Sequence, residues 1–425
     1  MLPIFILSTH WFAELLTVDA EAYASSVIQT SDGGYLIGGD IEDPQTTNPD
    51  LFLIKLSKEG SLEWAKIYET TVGHLSFLIQ TSDGGYALAG STWYPLNVKS
   101  EFLLVKLKPD GSVEWARSYG GRLHDEANSI IQTKEGGYLL IGETRSYGAG
   151  ESDVLVIRTD PRGNPIWAKA YGGEGNESAR SAVMVEDGYV IAGTTTSFGS
   201  GGEDVLVMRV SADGSLKWAN AYGFDAYEEA FSLVQADKKG YFISGWTDSF
   251  VPDGDRDALF IRLRPDGSLM WAKRLGLPEN WEEARSLVQA RDKGLVAACF
   301  AEIPRGWSQD ILVVKVTESG ELAWAKTFGD NSERDMASSL IQAKDGGLVI
   351  AGTTSVSILT NFLVLKISPE GKGLNCLMDY SPEVSGLELR VSPSGLSVED
   401  CSVFSDPQEI NIRTPGFIRA RGLCE

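Results

Sequence analysis

Very little in this 425-residue chain invites a catalytic reading. It has only three histidines, His10, His74 and His124, and only four cysteines. No phosphate-binding glycine loop, nucleophile elbow or paired metal-ligand motif occurs, and these absences leave the common routes to hydrolase, kinase or zinc chemistry without a foothold. Basic residues are scarce, with 37 Lys and Arg against 59 Asp and Glu and a net charge of -22. With no basic stripe to offset it, that balance argues against nucleic acid and anionic membranes as partners. The apolar run at MLPIFILSTHW is too short to span a bilayer and has no basic start. No stretch sustains a helical period, so little or no helix is expected.

What is abundant is repetition. Tryptophan recurs at Trp11, Trp64, Trp115, Trp167, Trp218, Trp271 and Trp324, with gaps of 53, 51, 52, 51, 53 and 53 residues. A fixed period of this length marks one supersecondary unit copied many times. Each copy opens with an apolar run and a glycine turn, as in SSVIQTSDGGY ending at Tyr35 and SIIQTKEGGY ending at Tyr138. A second run ends at a small residue, Gly39, Gly90, Gly142, Gly193, Gly245, Cys299 or Gly352. After a variable loop comes a third run such as EFLLVKL or DVLVMRV, and a turn such as PDGS leads into the tryptophan run. Short runs rich in Val, Ile, Leu, Phe and Tyr between Gly, Asp and Ser clusters read as strands joined by hairpins. Four strands per copy and seven copies predict an all-β, seven-bladed propeller of four-stranded antiparallel blades over residues 1–375, a ring that leaves only short protected edges.

The ring needs a closure. The last copy has three runs, and Asn375 stands where its tryptophan is due, four residues after Gly371. The run around Trp11 is therefore expected to become the outer strand of the seventh blade. Residues 376–425 form a separate strand-rich tail containing LELRV and EINIR. Three of the four cysteines, Cys376, Cys401 and Cys424, fall in it, which suggests a disulfide pinning the tail and an extracellular or cell-surface location. Cys299 takes a position filled by glycine in the other copies and reads as a buried thiol.

These blocks resemble known repeats. A glycine ending the second run and a tryptophan in the fourth resemble kelch-type propellers. The G-x-x-x-W spacing, as from Gly111 to Trp115 and Gly163 to Trp167, resembles the tryptophan-docking repeat of PQQ-like quinoproteins. Over residues 10–375 the DGGY and EWAK blocks are similar to uncharacterised repeat proteins of archaea and bacteria. The resemblance implies the propeller and is nearly silent on function, because a propeller hosts many chemistries.

Antiparallel blades send alternate connections to opposite faces. The turns between runs one and two and between runs three and four are short and uniform, making a plain face. The loops between runs two and three, and those between blades, vary in length and composition, which is where scaffolds carry function. Asp50, Asp153, Asp204, Asp257 and Asp310 recur at one repeat position there, a pattern that argues for hydrogen bonds to loop amides. The four tryptophans outside the period, Trp93, Trp246, Trp281 and Trp307, all fall on the variable face, the last three near blades five and six. Exposed aromatics beside carboxylates such as Glu282 and Glu283 stack on sugar rings or hold cations.

Asp253, Asp255 and Asp257 alternate in a way that can converge on Ca2+, although Ala258 and Arg264 stand where an EF-hand needs glycine and glutamate. No other cofactor is indicated. The expectation is a monomeric, non-catalytic scaffold whose ligand-binding residues are Trp93, Trp246, Trp281, Trp307, Glu282, Glu283, Asp253 and Asp255. Its partner would be a glycan, peptide or protein. The alternative is a carbohydrate-active hydrolase with carboxylates over the central channel.

Overall fold

The computed structural model describes residues 11–17, 20–42, 49–69, 73–94, 99–237, 239–249, 255–276, 280–303, 308–329, 334–356 and 359–373, and seven short strands beyond residue 373. It is all-β: seven four-stranded antiparallel blades arranged as a propeller. Blade one shows the pattern, with an inner strand Glu21–Gln29, then Tyr35–Glu42, Pro49–Leu56 and an outer strand Leu62–Glu69. Both faces of each sheet meet a neighbour, so the middle strands are buried almost throughout and read as unbroken apolar runs. Seven apolar clusters fill the seven interfaces between blades, and the one holding Leu16, Val27 and Phe362 joins blade seven to blade one. Among the described residues no helix is long and apolar enough to cross a membrane.

Polar side chains repeat the ring at every level. On the inner strands, Ser26 Oγ accepts from Leu78 N at 3.3 Å and Ser181 Oγ from Leu233 N at 3.1 Å. Ser339 Oγ accepts from Val27 N at 3.2 Å across the chain's two ends. On the outer strands, Tyr119 Oη donates to Gly163 O at 2.7 Å and Tyr171 Oη to Gly214 O at 2.6 Å, each reaching the third-to-fourth turn of the next blade. Six of the periodic tryptophans, from Trp64 to Trp324, dock against those same turns. A Cβ at Gly163 (φ 77°) would stand 2.8 Å from the ring of Trp115, so this turn needs glycine for its backbone and for its neighbour alike.

The N-terminal strand Phe12–Thr17 pairs with Leu359–Ile367 and completes blade seven, as the broken repeat predicts. Its register corrects one detail. Lys55 pairs with Trp64 in blade one, and the equivalent Lys366 pairs with Phe12, not Trp11. Phe12 docks on the glycine turn of blade one at Gly60, while Trp11 lies against Gly347 and Gly373 of its own blade. A shift of one residue moves a strand side chain to the opposite face, and spacings of 52 and 53 both fit the repeat, so the spacing could not separate the two.

The tail holds the larger surprise. Its seven strands, from Leu377–Asp379 to Arg419–Gly422, each add a fifth strand to one blade, antiparallel to the outer strand. They run backwards around the ring, from blade six to blade one and then to blade seven. Sheet twist explains how one segment serves all seven. Strands rotate by roughly 20–25° per neighbour, so four steps turn the fifth strand about 80–100° from the inner one and lay it along the rim. The tail carries a matching period of seven, with Leu377, Val384, Val391, Val398 and Ile412 paired opposite Phe328, Leu275, Tyr222, Tyr171 and Tyr68. LELRV therefore spans the end of one belt strand and the start of the next. Cys376, Cys401 and Cys424 lie outside the described residues. Cys299 is buried with its thiol raised far above the usual range by desolvation.

Candidate functional site

Two of the recurring aspartates, Asp153 and Asp204, hold loop amides, and Asp153 Oδ2 accepts from Gly150 N at 3.2 Å. Asp204 Oδ2 accepts from Ser200 N at 3.1 Å and Gly201 N at 3.3 Å. At the start of the next inner strand Glu228 accepts from Phe224 N at 2.8 Å and from Thr247 Oγ1 at 2.6 Å. Burial pushes both carboxyls above their ordinary values, and Asp204 raises Glu228 further. This pair is framework.

Over blades four to six the framework carries something that is not repeated. Trp246, in the strand Tyr241–Thr247, stands opposite Glu229 in the register of blade five and donates from Nε1 to Glu229 Oε2 at 3.0 Å. Glu229 Oε1 also accepts from Nε and Nη2 of Arg180, at 3.2 and 3.0 Å. Arg256 precedes the third strand of blade five and bridges Trp281, the first residue of the inner strand Trp281–Gln289 of blade six. Its guanidinium carbon sits 3.9 Å from the centre of the Trp246 ring and 5.1 Å from that of Trp281, close enough for cation–π attraction to both. Nη1 of Arg256 donates to Glu283 Oε1 at 2.6 Å, and Glu283 Oε2 accepts from Nε and Nη2 of Arg285 at 3.3 and 3.1 Å. The result is one continuous chain, Arg180, Glu229, Trp246, Arg256, Glu283, Arg285, crossing three blades at the mouth of the central channel. Glu203 stands beside it; burial raises its carboxyl, the Thr194 hydroxyl opposes this, and the Glu229 charge raises it again.

The residues expected to bind ligand divide accordingly. Trp281 is 39% exposed and presents its indole to solvent. Glu283 lies in the charged chain. Trp246 is only 5% exposed, held under Arg256 and against Glu229, and so supports the site without offering a stacking surface. Glu282 is fully buried, because adjacent strand residues point to opposite faces. Glu283 turns to the arginines, and Glu282 turns inward beside Asp257 and Gly276. Trp93 belongs to blade two, where its ring stacks on His124 with centroids 4.9 Å apart, away from blades five and six. Trp307 and Asp253 lie outside the described residues. Asp255 is half-buried next to Arg256, and the buried Asp257 is engaged by Arg274. Among the described residues no group of three or more His, Cys, Asp or Glu side chains could hold a metal.

Sequence reading overlooked the three arginines. A signal for two of them was present. The inner strand of every blade is interrupted by a β-bulge at the same register, and the residue there is small in four blades, as Ser25, Ser76, Asn128 and Ser338. In three consecutive blades it is Arg180, Phe231 and Arg285. A repeat position that changes character over one arc marks what the repeat alone does not need.

No protein-family model matches the chain, and no curated protein matches it in sequence. Solved structures do match. Sqt1 from Chaetomium thermophilum is 12% identical, with 83% of this chain and 99% of that one covered at a TM-score of 0.45. A glucose dehydrogenase is 11% identical, with 84% and 99% covered at a TM-score of 0.39. The soluble aldose sugar dehydrogenase from Escherichia coli is 10% identical, with 84% and 99% covered at 0.34. Likeness at this level carries no functional argument.

Proposed function

We propose that this chain is a non-catalytic binding propeller that holds a glycan or peptide against Trp281 and the charged chain at the mouth of the channel. One observation carries the reading: Trp281 is the exposed aromatic of a site whose other members are already paired and fixed, with Arg256 behind the ring. A pre-positioned indole loses little conformational freedom on binding, and such aromatics dominate recognition surfaces. The test is retention of ligand on a glycan and peptide array by the intact chain and by Trp281→Ala. The variant is expected to lose at least about tenfold in affinity, roughly 1.4 kcal/mol. Unchanged retention would remove the proposal.

A hydrolase remains the second reading because of one arrangement. Glu203 is raised by burial beside Glu229, which Arg180 pairs, and two carboxyls in unlike environments are what acid and base roles require. Turnover of an oligosaccharide by the native chain, abolished in Glu203→Gln, would establish it; absence of turnover across an oligosaccharide panel would sink it. We further read the protein as a monomer displayed outside the cell. Its acidic composition and the three tail cysteines support that, and mass spectrometry of the native thiols together with cell fractionation tests it.

A further inference from the structure

The seven bulge residues do more than mark an arc. All of them line a single cavity of about 550 Å³ to which every inner strand contributes, which is the central channel of the propeller. That volume is of the size that takes a small ligand or the end of a larger one. Its wall is strongly asymmetric. One side offers the hydroxyls of Ser25, Ser76 and Ser338 and the amide oxygen of Asn128, whose Nδ2 donates to Ala179 O at 2.8 Å; the other offers two guanidiniums with a phenyl ring between them in chain order.

Each guanidinium is fixed without being covered. Arg180 and Arg285 both spend Nε and Nη2 on a single carboxylate oxygen, of Glu229 and Glu283 respectively. Among the described residues Nη1 of neither makes a hydrogen bond. Their side chains stay 39% and 38% exposed. The Arg285 guanidinium carbon lies over the Phe231 ring at 6.0 Å from its centre and over the Phe300 ring at 5.6 Å, so its donors sit among aromatic rings. Charge-assisted bonds from pre-oriented guanidiniums are the strong ones, and their planar fork suits carboxylate and sulfate.

We infer that the Arg180–Phe231–Arg285 arc is a subsite for an acidic saccharide, a sugar ring bearing a carboxylate or sulfate. The ring face lies on Phe231, the anionic group on the guanidinium edges, and the remaining sugar hydroxyls face the serine and asparagine wall. This rests on the binding reading above and adds the ligand class. The hydroxyl-rich opposite wall favours a saccharide over an acidic peptide, whose side chains have no matching set of hydroxyls. A protein of charge -22 repels anions at long range, so the attraction must come from short-range contacts with these guanidiniums.

Titration calorimetry on the full chain decides it, with four probes: hexagalacturonate, a sulfated hexasaccharide, neutral cellohexaose and hexaglutamate. The informative variant is Arg180→Ser, Phe231→Ser and Arg285→Ser together, which gives these blades the serine that three of the other four carry. Should that triple variant not fold, Arg180→Lys with Arg285→Lys keeps the charge and removes the fork. Supporting results are at least about tenfold tighter binding of one acidic saccharide than of cellohexaose, and loss of that preference in the triple or the double-lysine variant. Whichever of uronate and sulfate binds more tightly names the anion.

Equal binding of neutral and acidic saccharides, a preference that survives the substitutions, binding of hexaglutamate alone, or binding of no probe would each overturn the inference. The two readings separate through Trp281→Ala. If it abolishes binding of every saccharide while the triple variant changes nothing, the mouth is a binding site and the channel subsite falls. If the triple variant alone removes the acidic preference and Trp281→Ala leaves all binding intact, the opposite holds.

Discussion

The two faces of the disc push the same functional group in opposite directions. On the plain face, burial opposes ionisation of Asp32 and Asp83, yet turn hydroxyls, turn amides and a buried lysine outweigh it and hold both carboxyls at about 2. Asp213, in another such turn, is held at about 2 by the Ser211 hydroxyl and the Ser215 amide. On the variable face, burial dominates and raises Asp125, Glu203, Asp204 and Glu228 despite the hydroxyls, amides and nearby arginines that favour their charge. The difference lies in what the carboxylates hold. Plain-face aspartates tie down their own tight turns at the edge of solvent. Their variable-face counterparts reach into longer loops from inside the blade and accept a desolvation cost to fix them, and on that fixed platform the unrepeated arc over blades four to six is built.

The most forceful way to break this division between copied framework and uncopied arc is to remove a copied part. Deleting residues 1–17 takes away the outer strand of blade seven, including buried Ala13 and Leu16, and the contact of Phe12 with Gly60. A loss of at least about 4 kcal/mol is expected, read as loss of a cooperative melting transition; an unaltered melting curve would defeat the closure. A smaller probe is Tyr171→Phe, which leaves Gly214 O without its donor and is expected to cost about 1–2 kcal/mol in urea unfolding.

Acidity separates the faces directly. Lowered carboxyls contribute stability that is present above about pH 4 and lost as pH falls through about 2; raised ones subtract stability increasingly as pH climbs above about 4. The melting temperature is therefore expected to be higher at about pH 5 than at about pH 8, and to fall below about pH 4. Asp32→Asn with Asp83→Asn should flatten only the acid limb, and a change confined to the alkaline side would show that the faces have been misassigned. The smallest expected effect sits on the arc: Trp281→Ala should change stability by less than about 0.5 kcal/mol even as ligand is lost.

How much of this could be read beforehand follows the same division. Blade number, strand count and the N-terminal closure were legible because repetition averages away the ambiguity of any single strand. Phe12 in place of Trp11 was not, since one residue of slippage lies within the spread of the repeat spacing. The belt escaped because its strands are three to five residues long and its period of seven belongs to the circumference of the ring, which exists only once the ring has formed. At the proposed site, composition drew attention to blades five and six, where Trp246, Trp281 and Glu283 gather around Arg256. Exposure was the weak step: Trp246 and Glu282 sit in strands, where neighbouring positions face opposite ways, and nothing in a list of aromatics and acids says which way. Arg256, which ties both tryptophans together, became visible only through the bridge between blades five and six.

The pairing of Phe12 with Lys366 also sets a clock on the ribosome. About 350 residues must follow the first strand before its partner exists, which at 5–20 residues per second is roughly 20–70 s of synthesis. During that interval an apolar strand waits without a sheet while six complete blades form behind it. The rim strands arrive after all seven blades and in reverse, capping blade six first and reaching the seventh only at Arg419–Gly422. Until residues 377–422 have emerged, the propeller is already round and not yet fully bound at its edge, and each outer strand stays open to the wrong partner until its own rim strand arrives.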